Sequence, residues 1–261
     1  MRLRPMLRAL TVAAVALGGL TLPGTAHAGE CQEVYGQALG YGRSRWRTSY
    51  MAMALNDSTF PSGGAGGAIR ARLNDAARSW RDSLNVCGMS DTLAAEPLIN
   101  PFATTATFNP YRNDGTSVVD FGWVDLNGCP HGATLACAIS FTDSDGYFND
   151  SNIRFESYAG FNWWGGSDGN GQGNAYSTYV PSGWYDIWGV GAHEIGHALG
   201  IDHAPYDNPH ATMRPQFCPG MGWAGCTNDP RQSAQESSAT ARTLAPSDIY
   251  VMRALYANPL G

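Results

Sequence analysis

Between Ala68 and Leu84 the apolar residues Ile69, Leu73, Ala77 and Trp80 recur every three or four positions. That spacing lines one face of a helix and predicts an amphipathic helix over 68–84. From Tyr185 to Leu199 the chain is mostly apolar or small, and it reaches Gly200. This predicts a buried helix that stops at the glycine. A third helix is expected from Ser247 to Tyr256, with Ser247 as N-cap and Asp248 at the positive end of the dipole. Strand-forming runs fall at Arg47–Leu55, Thr104–Phe108 and Val118–Val124. Leu135–Phe141 and Tyr147–Glu156 predict a hairpin around the turn sequence Asp143-Ser144-Asp145-Gly146. A further strand is expected over Asn174–Val180, and the glycine-rich runs at 62–67 and 165–173 read as loops. Strand, helix, strands, helix and a sparse tail with one helix predict an α+β fold.

The first 28 residues read differently. Arg2, Arg4 and Arg8 precede an apolar run from Ala9 to Leu22, and Ala26-His27-Ala28 follows. This is the pattern of a secretory signal peptide cleaved after Ala28, too short in its apolar part to span a bilayer. The expected location is therefore outside the cell, and residues 29–261 are expected to form the working domain.

Formal net charge is −6 over 261 residues, and every basic residue is Arg. An acidic chain without a basic run argues against nucleic acid or an anionic membrane as partner. All six cysteines follow the leader. In an exported chain an even count predicts three disulfides, with the pairing open among fifteen connectivities. Short spacing favours Cys129–Cys137 and Cys218–Cys226, which leaves Cys31–Cys87. A cysteine-based metal site lacks any C-x-x-C pair.

Half of the six histidines bear on one short stretch, His193-Glu194-Ile195-Gly196-His197-Ala198-Leu199-Gly200-Ile201-Asp202-His203. His193 and His197, four apart on a helix, leave from one face and can share a metal. Glu194 points about 100° away from His193, suited to hold a water without ligating. On an unbroken helix His203 would lie about 15 Å along the axis from His193, out of reach. Gly200 resolves this, because a glycine with positive φ ends the helix and lets the chain turn back. Three neutral imidazoles with an open fourth position form the ligand set of a catalytic zinc. His131 and His210 read as surface or turn histidines, and Asp143–Gly146 as a plain turn, because Arg154 stands where a calcium loop needs its last acid.

The stretch fits H-E-x-x-H-x-x-G-x-x-H, the metzincin signature. Ten residues after His203, Met213 stands in Ala211-Thr212-Met213-Arg214-Pro215-Gln216-Phe217, which is similar to the matrixin methionine turn A-L-M-Y-P-x-Y. Asn152-Ile153-Arg154-Phe155 resembles the matrixin strand A-D-I-x-I-x-F. Asn174-Ala175-Tyr176 through Gly183 resembles its edge strand, and Leu244–Tyr256 its C-terminal helix. The chain departs from the pattern at Arg214, usually Tyr, and aligns poorly over Thr104–Pro130, where the Cys129–Cys137 loop looks like an insertion. No stretch matches the inhibitory cysteine motif P-R-C-G-x-P-D.

The resemblance implies a zincin/metzincin fold: a twisted, mostly parallel but mixed sheet, an active-site helix, a methionine turn and a C-terminal helix. An upper part to about residue 200 and a lower part over 201–261 would border a cleft. It implies one zinc on His193, His197 and His203, with Glu194 as general base toward a water and Met213 packed beneath. Pro215, Gln216 and Phe217 would wall the specificity pocket. An extended polypeptide would pair with the edge strand at Asn174, Ala175 and Tyr176, bound by a monomer. Asp168-Gly169-Asn170-Gly171-Gln172-Gly173 resembles the family's calcium loop, with Asp168 as a Ca²⁺ ligand. The implied activity is that of a secreted zinc endopeptidase. A silent secreted binding protein and a zinc amidase acting on cell-wall peptides share these residues; the intact Glu194 counts against the first.

Overall fold

A computed structural model of the chain describes residues 45–46, 51–61, 66–82, 99–103, 106–111, 113–126, 129–131, 134–157, 161–165, 180, 183–204, 211–214, 242 and 244–256. The expected signal peptide, the expected pairs Cys31–Cys87 and Cys218–Cys226, Asp168, His210, Asn174–Tyr176 and Pro215–Phe217 lie outside these residues. Among the described residues no helix is long and apolar enough to cross a membrane.

Five strands form the main sheet: β1 (Met53–Leu55), β2 (Ile99–Ala103), β3 (Val118–Gly122), β4 (Ala136–Thr142) and β5 (Phe148–Glu156). Their order is β2-β1-β3-β5-β4. β1, β2, β3 and β5 run parallel, and β4 is antiparallel to β5. The sheet is thus mixed and mostly parallel, in an α+β chain. The β4–β5 hairpin forms as expected. The Asp143 carboxylate accepts from the N–H groups of Asp145 (2.9 Å) and Tyr147 (3.0 Å), and Gly146 sits at φ 83°.

The strand expected at 104–108 lies instead at Ile99–Ala103. Pro101 fits there because β2 is an edge strand, where a missing N–H costs no ladder bond. Phe108 N–H meanwhile donates to the Asp120 side chain at 2.9 Å rather than to a strand. Two short parallel strands, β6 (Asn162–Trp164) and β7 (Trp184–Asp186), form a second sheet that the hydrophobic pattern did not announce.

Helix α1 (Gly66–Asp82) joins β1 to β2, supplying the crossover that parallel pairing requires. Its predicted face is buried, and Ile69, Leu73 and Trp80 are fully sequestered. Each such side chain contributes roughly 1.5–3 kcal/mol. Helix α2 (Ile187–Ala198) begins two residues later than the apolar run suggests, because Asp186 caps it by accepting Gly189 N–H at 2.9 Å. α2 packs on α1 and across β4 and β5. Around it Phe121, Phe155 and Trp163 form an aromatic centre, with ring centroids 5.1 to 6.0 Å apart. Trp163 is therefore core; Trp164 stacks under the Arg242 guanidinium at 5.3 Å.

The last helix, α3 (Pro246–Tyr256), starts one residue before the expected cap Ser247. Pro246 occupies the first turn, where its missing N–H is harmless, and the Asp248 carboxylate reaches back to accept Ala245 N–H at 2.9 Å. Asp248 thus supplies a capping side chain at the start of the helix.

Candidate metal centre

Gly200 has φ 95°, the left-handed conformation expected of it. Two hydrogen bonds close the end of α2 there: Gly200 N–H to His197 O (2.9 Å) and Ile201 N–H to Gly196 O (3.0 Å). This paired closure is a Schellman motif, and it reverses the chain within three residues. Trp46 Nε1 takes up a further orphan carbonyl of the helix end, Ala198 O, at 2.8 Å.

The turn brings His203 back to the helix. His197 Nε2 lies 3.0 Å from His193 Nε2 and 3.1 Å from His203 Nε2. The three side chains form the one His/Cys/Asp/Glu group among the described residues that could hold a metal ion. The far sides of two rings are already engaged. His193 Nδ1 lies 2.8 Å from Thr212 O and His197 Nδ1 lies 2.8 Å from Ile201 O. A carbonyl can only accept, so both Nδ1 atoms carry the proton and both Nε2 lone pairs face the common point. The chemistry of this donor set fits a metal ion.

Electrostatics agree. Burial, then the neighbouring His197, holds His193 well below the ordinary 6.5; its hydrogen bond to Thr212 O opposes this. Burial, then His203, brings His197 down to about 4, and burial also lowers His203. All three are neutral at pH 7, as ligands must be. His203 is exposed, so the centre opens to solvent on its side.

Beneath the rings lies the turn 211–214. Met213 is buried and packs against Gly196; a Cβ on Gly196 would collide with its sulfur and would come within 2.7 Å of Trp80 Cζ2. A glycine there lets the methionine approach the helix backbone. Met213 O accepts Ala204 N–H at 2.7 Å, which fixes the segment carrying His203. The Asp248 carboxylate accepts the N–H groups of Thr212 (2.8 Å) and Met213 (3.3 Å). Thr212 thus links His193 to α3.

Glu194 lies buried on α2. Burial pushes its pKa up to about 8. Cys129 and Cys137 are disulfide-bonded as expected. His131 sits in a turn, stacked on Trp123 at 3.6 Å and 3.1 Å from the buried Glu156 carboxylate.

Sequence reasoning placed His193, Glu194, His197, Gly200, His203 and Met213 together, and the structure brings them together. It placed Asp248 at the start of the last helix but missed its hold on the backbone of Thr212 and Met213. Neither a scan against protein-family models nor a search of curated proteins matched this chain.

Proposed function

We propose that the protein is a secreted zinc-dependent endopeptidase of the matrixin-like metzincin type. The observation that carries the reading is the convergence of three imidazoles, with His197 Nε2 3.0 Å from His193 Nε2 and 3.1 Å from His203 Nε2, on a helix that also carries the buried Glu194. Tetrahedral zinc with nitrogen ligands at about 2.0–2.1 Å separates those nitrogens by roughly 3.3 Å, close to the spacing present. When bound, zinc supplies Lewis acidity toward a carbonyl and makes a water at the open position acidic. His193, His197 and His203 hold it as neutral ligands, and Thr212 O and Ile201 O fix two of the rings.

Glu194 takes the proton of the attacking water on its carboxylate and hands it to the departing amine nitrogen. Its burial excludes bulk water from that transfer. The polypeptide substrate lies extended and adds to a sheet edge. Pro215–Phe217 and a calcium site at Asp168 belong to the same reading. The test is digestion of a peptide library by the zinc-loaded chain, with and without chelator. Cleavage should vanish on chelation and return with zinc, and Glu194→Gln should bind zinc but lose at least about 100-fold in turnover. Full cleavage by Glu194→Gln would refute the assigned base.

A further inference from the structure

A helix ends on carbonyls that its own ladder leaves unmatched, and something else must meet them. At the end of α2 these belong to Ile195, Gly196, His197 and Ala198. The turn that follows meets the first three. Leu199 N–H donates to Ile195 O at 2.9 Å, Ile201 N–H to Gly196 O at 3.0 Å and Gly200 N–H to His197 O at 2.9 Å. The fourth, Ala198 O, is met from 152 residues away in the chain, by the Trp46 indole N–H at 2.8 Å. Ala198 is fully buried, so solvent offers this carbonyl no substitute donor.

Trp46 is itself held by the main sheet. Its ring meets Phe148, the first residue of β5, edge-on, with centroids 6.4 Å apart. Phe148 N–H donates to Arg45 O at 2.8 Å, and Trp46 pairs with Phe148 as a parallel bridge. The Arg45 guanidinium donates to Leu255 O in the last turn of α3. Two consecutive residues thus join the sheet, the end of α2 and the end of α3. What hangs from that end of α2 is His203, five residues past Ala198. Among the described residues no carbonyl holds the His203 ring as Thr212 O and Ile201 O hold the other two. Its backbone runs between two anchors instead: Ala198 O on Trp46, and Ala204 N–H on Met213 O at 2.7 Å.

We infer that Trp46 is a positioning residue of the metal centre: its indole N–H fixes the Ala198 carbonyl and so sets where the turn delivers His203. This rests on the three histidines holding a metal, as in the function proposed above, while the hold on the turn can be read without metal or activity. The near anchor lies on the sheet and the far anchor in the methionine turn, so the third ligand is placed jointly by the two parts of the chain that flank α2.

The experiment compares the full chain as wild type, Trp46→Phe and Gly115→Ala. Trp46→Phe keeps a ring against Phe148 and removes the N–H donor. Gly115→Ala strains a turn elsewhere, at φ 73°, and controls for a general loss of stability. In chelator, residue-resolved amide exchange in Trp46→Phe should quicken at Gly200 and Ile201, exceeding any change at Val119 and Ile153 of the sheet by at least about tenfold. In a zinc competition titration Trp46→Phe should still bind one zinc, about 3- to 10-fold more weakly, a smaller loss than for a group bonded directly to a ligand ring. Gly115→Ala should show neither effect. Wild-type zinc affinity in Trp46→Phe overturns the inference. So does an acceleration spread evenly over the turn and the sheet, which marks a residue that only stabilises the fold. A wild type that binds zinc but cleaves no peptide sinks the proposed function, and the two zinc affinities then still decide Trp46. A wild type that binds no zinc overturns both.

Discussion

Gly200→Ala isolates the turn that carries His203 back to its partners. At φ 95° an L-residue bears a left-handed strain of about 1–2 kcal/mol. The alternative is to unwind the turn. That forfeits the bonds Gly200 N–H to His197 O and Ile201 N–H to Gly196 O, each worth about 1 kcal/mol, and displaces the carbonyl that orients His197. The two costs are comparable, with the strain slightly cheaper, so the variant folds with the turn strained. The strain then divides between two measurable quantities. Whatever the metal-free fold retains lowers its melting temperature, by about 2–4 °C per kcal/mol for a chain of this size. Whatever the metal-free fold relaxes must be restored on binding, and weakens zinc affinity about 5- to 30-fold for 1–2 kcal/mol. Thermal unfolding in chelator and a zinc competition titration read the two shares. Gly115→Ala is the control: its φ is 73° with no atom within 4 Å of a new Cβ, far from the histidines in sequence and contact. It should lower melting by a similar amount with unchanged zinc affinity. A Gly200→Ala chain that matches wild type in both quantities would refute the argument.

Two further outcomes are expected. For the metal-free chain, Glu194 has its folded pKa raised to about 8 from 4.5, so the folded state binds more protons and stability falls as pH rises through that window. The lowered histidines act oppositely, but only below their ordinary 6.5. Above about pH 6.5 the described histidines no longer oppose the Glu194 effect: denaturation midpoints should drop between about pH 6.5 and 8, and Glu194→Gln should flatten the drop; an equal drop in the variant would exclude this origin. The buried bidentate pair of Arg242 with Asp186, at 2.7 and 2.8 Å, also involves the cap of α2. Arg242→Ala should cost about 3–5 kcal/mol in urea unfolding, and a loss under 1 kcal/mol would mean the pair is expendable.

The parts of this molecule legible in the sequence are those where chemistry needs a side chain at a fixed local spacing. The helical stripe of Ile69, Leu73 and Trp80, the Asp143 turn, and the run from His193 to His203 all state their geometry within a few residues. Gly200 was readable because one backbone conformation, available cheaply to glycine, was required there. What escaped depends on distant partners. The Asp186 carboxylate ends a strand and caps a helix, and its Arg242 partner lies 56 residues away. β2 took the place of the stretch at 104–108 because Asp120 satisfied Phe108 from another strand.

The relay through Thr212 has a consequence for when the centre comes into being. His193 is oriented by Thr212 O, and the backbone of Thr212 and Met213 is held by Asp248 in the last helix. During synthesis the histidines emerge first, then the turn, and the carboxylate that sets the turn follows 36 residues after Thr212. The ligand set can therefore reach its final geometry only once α3 has docked. A chain not yet synthesised through Asp248 holds the histidines without the carboxylate that fixes the turn behind His193.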